Sequence, residues 1–215
     1  DTNPVLPENS QFSAVIPSVG APVVAVVNEH QGGPGITAEA LSYSGLSAGS
    51  AKVSLPLVSK LSGGWLTTMI IQNLGSATTT VTGTFTRIDA AGTATLTRVV
   101  QPGRSQAIDP RSEADLVNGA EYAVTFTAIE PIAVVANAHN DLPGATAPMG
   151  DSYNGIPNVT GTTTYSPYIA KNTDGIGRAS RIVIQNAGAV AATPTVELRP
   201  LGGTAGTPAT APSTP

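Results

Sequence analysis

Residues 22–30 read PVVAVVNEH and residues 131–139 read PIAVVANAH, so one stretch recurs 131 − 22 = 109 positions later. A matching loop follows each copy: PGITA at 34–38 against PGATA at 143–147, then SYSG at 42–45 against SYNG at 152–155. A second set pairs LPLVSK (55–60) with SPYIAK (166–171), and MIIQNLG (69–75) with IVIQNAG (182–188), the last displaced by 182 − 69 = 113. The copies are cut out of phase. In order, the chain holds a second half, a complete copy and a first half of one unit. Repetition at a near-constant period constrains architecture more than any single motif. It points to a modular structural or binding protein.

The units read as β-structure. Glu121–Ile129 alternates, with Tyr122, Val124, Phe126 and Ala128 on one face and mostly Thr on the other. Thr80–Ile88 places Val81 and Phe85 opposite Thr82, Thr84 and Thr86. Residues 22–27 and 131–138 are apolar on both faces, the pattern of a strand enclosed on two sides. The complete unit is expected to carry strands at 52–58, 65–73, 78–88, 93–100, 104–108, 121–129 and 131–138. NLGS, DAAG and QPGR supply the turns. In the partial copies the corresponding strands are 11–18 and 22–29 at one end, and 163–170, 178–186 and 193–200 at the other. Residues 112–118 are the one helical turn expected, with Ser112 as cap and Gly119 as stop. Seven short strands in one unit suggest an immunoglobulin-like β-sandwich.

The fold expectation is therefore all-β, with two immunoglobulin-like β-sandwich units. One is contiguous, and one is assembled from the N- and C-terminal partial repeats, in cis or between subunits. The divisions are 1–50 (C-terminal half-repeat), 51–140 (complete repeat), 141–162 (connecting loop), 163–203 (N-terminal half-repeat) and 204–215 (Thr/Ala/Pro-rich tail). Two strands at one end and three at the other leave unpaired backbone edges, an aggregation liability unless they find partners. They can pair within the chain, pair head-to-tail between subunits, or belong to a longer tandem array.

Composition narrows the function. Net charge is −4 and the ten Lys and Arg are scattered, so no basic stripe exists to displace counterions from a nucleic acid. No apolar run approaches the ~18 residues of a membrane-spanning helix, and membrane insertion is not expected. A basic-then-apolar leader is missing from these residues, as expected of a mature chain or a fragment. The absence of cysteine excludes disulfides, thiolate metal sites and Cys nucleophiles. Thr-rich strands, 11 % charged residues and the TPATAPSTP tail fit an extracellular or cell-surface protein without disulfide staples.

No catalytic, cofactor-binding or metal-binding residue emerges, and no cofactor is expected. His30 and His139, the two histidines, each close an N-x-H at a strand end, one per repeat. A metal or general-base role would need a second ligand from elsewhere; bonding of Asn and His to the backbone of the following loop accounts for them better. No G-x-S-x-G elbow is present. The acids are dispersed, whereas a glycosidase needs two facing each other. Asp141, Asp151, Asn154 and Asp174 could offer oxygens to Ca²⁺ but follow no loop pattern. Gln72-Asn73-Leu74-Gly75 and Gln185-Asn186-Ala187-Gly188 read as strand-terminating turns in which Asn takes a left-handed backbone. Lys60 and Lys171 hold equivalent places, where an amide cross-link to Asn would suit a cysteine-free surface protein. Trp65 and the tyrosines Tyr43, Tyr153, Tyr165 and Tyr168 form no evident sugar-stacking row, and the SY-x-G tyrosines read as loop anchors. Asn158-Val159-Thr160 is the one glycosylation sequon.

The L-P-L-V-x-K opener, the W-x-T-x-(4)-Q-N-x-G segment, the T-V-T-x-T-F strand and the P-I-A-V-V-A-N stretch resemble tandem β-sandwich repeats of secreted and cell-surface bacterial proteins. That resemblance implies scaffolding, adhesion or extracellular assembly rather than catalysis. The expected function is a non-catalytic structural subunit of a filament, surface layer or adhesin stalk. Its expected partner is itself, with strand exchange as the route. The alternative is a carbohydrate-binding module that contacts a surface glycan.

Overall fold

A computed structural model of the chain describes residues 10–33, 36–140, 149–157, 161–173, 178–199 and 209–211. Fourteen strands and one 3-10 turn make the described part nearly all β, with no α-helix. The chain divides into two compact units, 1–185 and 186–215.

The first unit is dominated by an eight-stranded sheet, formed by β3 (Ser50–Ser62), β4 (Trp65–Asn73), β5 (Thr79–Arg87), β6 (Thr93–Val100), β7 (Ser105–Ile108), β8 (Ala120–Asn140), β9 (Gly150–Asn154) and β10 (Ile156–Pro157). All of its ladders are antiparallel. β8 organises it. Its first half lies between β3 and β5, and its second half between β4 and β9. Because β3 also pairs with β4, the sheet closes on itself as a partial barrel. A register break carries the change of neighbours: Lys52 of β3 faces Thr127, but Ser50, two residues earlier, faces Ile132. Such a bulge bends a strand and raises its twist.

Alternation then fills the interior. Tyr122, Val124 and Phe126 before the bulge of β8, and Ile132, Val134 and Ala136 after it, all enter one core. They meet Val53, Leu55 and Val58 of β3, Met69 and Ile71 of β4, Val81 and Phe85 of β5, and Ile108 of β7. Phe85 meets Tyr122 and Phe126 edge-on, with centroids 6.0 and 6.1 Å away, a favoured aromatic geometry. Gly83 is small for that reason: a Cβ there would lie 2.6 Å from the Phe126 ring.

Strand expectations for the complete copy agree closely with the structure, including the inward Tyr122, Val124, Phe126, Val81 and Phe85. Residues 121–129 and 131–138, read as two strands, are one, since Pro131 sits at the bulge, where it lacks only a donor. Its carbonyl still accepts from Leu74 N–H at 2.9 Å. The helical turn expected at 112–118 is instead a 3-10 turn at Pro110–Ser112. Asp109 caps it and Pro110 starts it, so the turn begins earlier, and the Ser112 hydroxyl bonds back to Asp109 O. Residues 150–157, read as loop, supply β9 and β10.

The partial copies behave differently. β1 (Val26–Gly33) pairs with β2 (Ile36–Ser44) in a hairpin. Residues 11–18 and 163–170 carry no strand. Of the expected 178–186 strand, only Arg178–Ala179 (β12) is formed, paired with Lys171–Thr173 (β11). In the second unit, Val196–Leu198 (β13) pairs with Ala209–Ala211 (β14), inside the segment read as a tail. Among the described residues no ladder joins β1 to the C-terminal partial copy. β2 is adjacent in the chain and cheap to reach, whereas a strand some 150 residues away carries a larger closure cost.

Replacing Phe85 by Ala removes the ring at the centre of the aromatic cluster and is expected to cost about 3–5 kcal/mol. Urea unfolding followed by circular dichroism should show a markedly lower midpoint with an unchanged slope.

Candidate functional site

The hairpins that carry the two copies of the N-x-H motif meet. β1 and β2 pair Val26 with Ser44 through to His30 with Ala40. β8 and β9 pair Val135 with Asn154 through to His139 with Gly150. Residue by residue these are the same hairpin, because 26 + 109 = 135 and 30 + 109 = 139. The same side-chain bond recurs in both. Ser42 Oγ donates to Asn28 Oδ1 at 3.0 Å, and Ser152 Oγ to Asn137 Oδ1 at 2.6 Å.

A polar seam joins one hairpin to the other. Asn137 Nδ2 donates to Glu29 Oε2 at 3.2 Å, His139 Nδ1 lies 2.8 Å from Glu39 Oε2, and Asn154 Nδ2 donates to Ser44 O at 2.9 Å. Asn137 is buried and the Glu39 carboxylate is nearly so, so these bonds hold in a region of reduced solvent screening. Gly150 gives Glu39 room: a Cβ there would lie 2.5 Å from Glu39 Oε1. Beneath the seam, the Tyr153 hydroxyl donates to Leu57 O, and burial pushes its pKa well up. Tyr43, its counterpart on β2, is also raised, first by burial and then by the Glu29 charge.

Asn and His were expected to tie down the backbone of the following loop. That loop falls outside the described residues after His139, and the described bonds of these groups run to side chains: Asn28 to Ser42, Asn137 to Ser152 and Glu29, and His139 to Glu39. Hairpin strands put Asn28 opposite Ser42 and Asn137 opposite Ser152. Both tyrosines of SY-x-G sit on strands rather than loops, and Tyr153 anchors β9 to β3.

The Q-N-x-G pair is a turn in both copies, by a mechanism other than a left-handed Asn. Asn73 Oδ1 accepts from Gly75 N–H at 2.8 Å and Asn73 Nδ2 donates to Ala77 O at 2.8 Å. Asn186 repeats this with Gly188 at 2.9 Å and Val190 at 2.8 Å. Neither Asn has a positive φ; the side chain substitutes for a backbone turn. Asn73 is fully buried and also donates to Val100 O at 3.0 Å, whereas Asn186 is exposed.

Buried Lys60 sends its Nζ to Glu113 O (2.7 Å) and Leu116 O (2.9 Å), main-chain oxygens rather than a carboxamide. His30 is exposed. Asp141, Asp174 and the sequon Asn158-Val159-Thr160 lie outside the described residues. Among the described residues no three His, Asp or Glu side chains are grouped to hold a metal. Trp65 opens β4, half-buried, while Tyr165 and Tyr168 are exposed. A shallow depression is lined by Arg87, Thr93, Asp115 and Tyr122. The chemistry on offer is cohesive: carboxylate, amide and imidazole groups joining one β-surface to another.

The seam carboxylates escaped sequence reading, yet a signal existed. Glu29 aligns with Ala138, since 29 + 109 = 138, and Glu39 with Met149, since the second strand of the hairpin is displaced by 152 − 42 = 110 and 39 + 110 = 149. At both positions the copies differ, and both Glu residues bond across to the other copy.

Comparison with known proteins adds little. No protein-family profile and no curated protein matches the chain. Among solved structures, a crystal structure of Thermotoga maritima 1070 aligns with a TM-score of 0.43 at 15 % identity, covering 51 % of this chain and 96 % of that one.

Asn73→Ala should cost about 1–3 kcal/mol, because it leaves buried Val100 O without its partner. Asn186→Ala, which removes the same local bonds in solvent, should stay within about 0.5 kcal/mol. Thermal melts of the two variants check the contrast.

Proposed function

We propose that the protein is a non-catalytic structural subunit of an extracellular or cell-surface assembly, built from immunoglobulin-like units that associate through their incomplete copies. One observation carries this reading: equivalent residues are buried in the complete copy and exposed in the partial ones. Met69 and Ile71 are both 0 % exposed, while their counterparts Ile182 and Ile184 are 42 % and 51 % exposed. Ile132 and Ala136 are 0 % exposed, against 53 % and 38 % for Val23 and Val27. Val23 and Val27 lie close together in the chain, as do Ile182 and Ile184, and exposed apolar residues that gather into a patch mark interaction surfaces. Covering it by self-association is the economical outcome for a repeat.

Two features support an immunoglobulin-like unit. The Tyr122 hydroxyl accepts from Val117 N–H at 2.7 Å, five residues upstream, as in the tyrosine corner of such sandwiches. The core draws side chains both from the β5 ladder with the first half of β8 and from the β4 ladder with β7, as two packed layers would supply. The second sandwich, assembled from both terminal part-repeats, is part of this proposal.

Sedimentation velocity and negative-stain microscopy of the purified chain should show mass-dependent association at micromolar concentration, extending to linear oligomers. A single monomeric species at every concentration contradicts the proposal. Glycan binding abolished by Trp65→Ala, without self-association, would favour a carbohydrate-binding module.

A further inference from the structure

The complete copy shows what is missing from the partial ones. The second half of β8 has two neighbours: β9 on one edge and β4 on the other. β1, its repeat, reproduces the first neighbour as β2, in the same register. Among the described residues it has no second neighbour. The sequence that repeats β4 is present, however. It is 178–186, where MIIQN recurs as IVIQN. In the structure this segment forms only two residues of strand. The rest lies along the first half of β8 through side chains: Arg181 forks onto Glu121 at 2.8 and 2.6 Å, and Gln185 Nε2 donates to Val124 O at 3.2 Å. These are few polar contacts, without a ladder, and they leave Ile182 and Ile184 open to water.

From this we infer that the free edge of β1 is the docking site for residues 178–186 of a second copy of the chain, added as an antiparallel strand. The inference rests on the self-assembly reading above and gives it a partner and a register. In the complete copy Met69 faces Ala136 and Ile71 faces Val134. Transferring by 136 − 109 = 27 and 69 + 113 = 182 places Val27 opposite Ile182. Likewise 134 − 109 = 25 and 71 + 113 = 184 place Ala25 opposite Ile184. Both pairs put apolar side chains on the face where Met69, Ile71, Val134 and Ala136 are buried in the complete copy. Main-chain bonds supply the attachment, and the alternate side chains set the register. The bond is heterologous, so a chain that donates 178–186 at one end still offers β1 at the other, and growth need not close.

The absence of cysteine makes the register directly readable, because every disulfide then reports an introduced pair. Directly opposed residues of an antiparallel ladder lie about 4.5–5.5 Å apart at Cα, within disulfide reach. Full-length Val27→Cys and Ile182→Cys chains, mixed and gently oxidised, should form a mixed disulfide at least about tenfold faster than Val24→Cys with Ile182→Cys. In the repeat register Val24 projects to the opposite face. A chain carrying both Val27→Cys and Ile182→Cys should give a ladder of covalent multimers. Equal rates for the two pairs, or a double variant that closes on itself as a covalent monomer, overturns the inference. If the unmodified chain sediments as oligomers yet the Val27–Ile182 disulfide does not form, this register is wrong while self-assembly stands. If the chain is monomeric throughout, both readings fail.

Discussion

Everything in the main unit depends on one continuous strand changing neighbours. β8 spends its first half between β3 and β5 and its second half between β4 and β9, turning at the bulge around Ile129–Pro131. Alternate side chains point inward on either side of the turn, up to Phe126 before it and from Ile132 after it, so a single strand lines the core twice. The bulge is held from outside. The Glu130 carboxylate accepts from Ser76 N–H at 2.9 Å, and Leu74 N–H donates to Pro131 O at 2.9 Å. Gly75 sits beneath that carboxylate because a Cβ would fall 1.8 Å from its oxygen. The turn after β4 and the bend of β8 thus fix each other.

That arrangement explains why half a unit cannot look after itself. A copy of the second half of β8 needs a strand on each edge and a layer of apolar side chains above it. At the N-terminal partial copy β2 is reached through a short connection and forms. The β4-like strand, far along the chain, does not pair there among the described residues. The hairpin therefore rests on the outside of the complete unit through the seam of Glu29, Asn137, Glu39 and His139. Exposed bonds of this type contribute little, while the partly buried ones contribute more and restrict the hairpin's orientation. Val26 and Val27 of β1 meanwhile stay in water, whereas Leu41 of β2 is buried.

Much of this was legible in the chain of letters. Period-2 alternation located Tyr122, Val124 and Phe126 on the core face, and two-sided apolarity marked 131–138 as enclosed. The repeat identified Asn73 and Asn186 as one device, and the structure gives them matching bonds. What escaped was whatever depends on competition between distant partners. Nothing local to 11–18 or 178–186 distinguishes them from strands, since their pattern is a strand pattern. Only the loss of a neighbour leaves them without ladders. Glu29 and Glu39 are hidden for the opposite reason, because a repeat displays what its copies share. The new bonds arise where they differ.

Amide hydrogen exchange read against protein concentration tests the central claim most directly, namely that the open edges of the partial copies are completed by another molecule. The amides of Met69 and Ile71 should be protected at every concentration, because their ladders lie within one chain. The amides of Ile182 and Ile184 should exchange freely in dilute solution and gain protection together with Val23–Val27 as the concentration rises. Protection of 182–184 that is independent of concentration, or its absence in an assembled sample, would contradict the account.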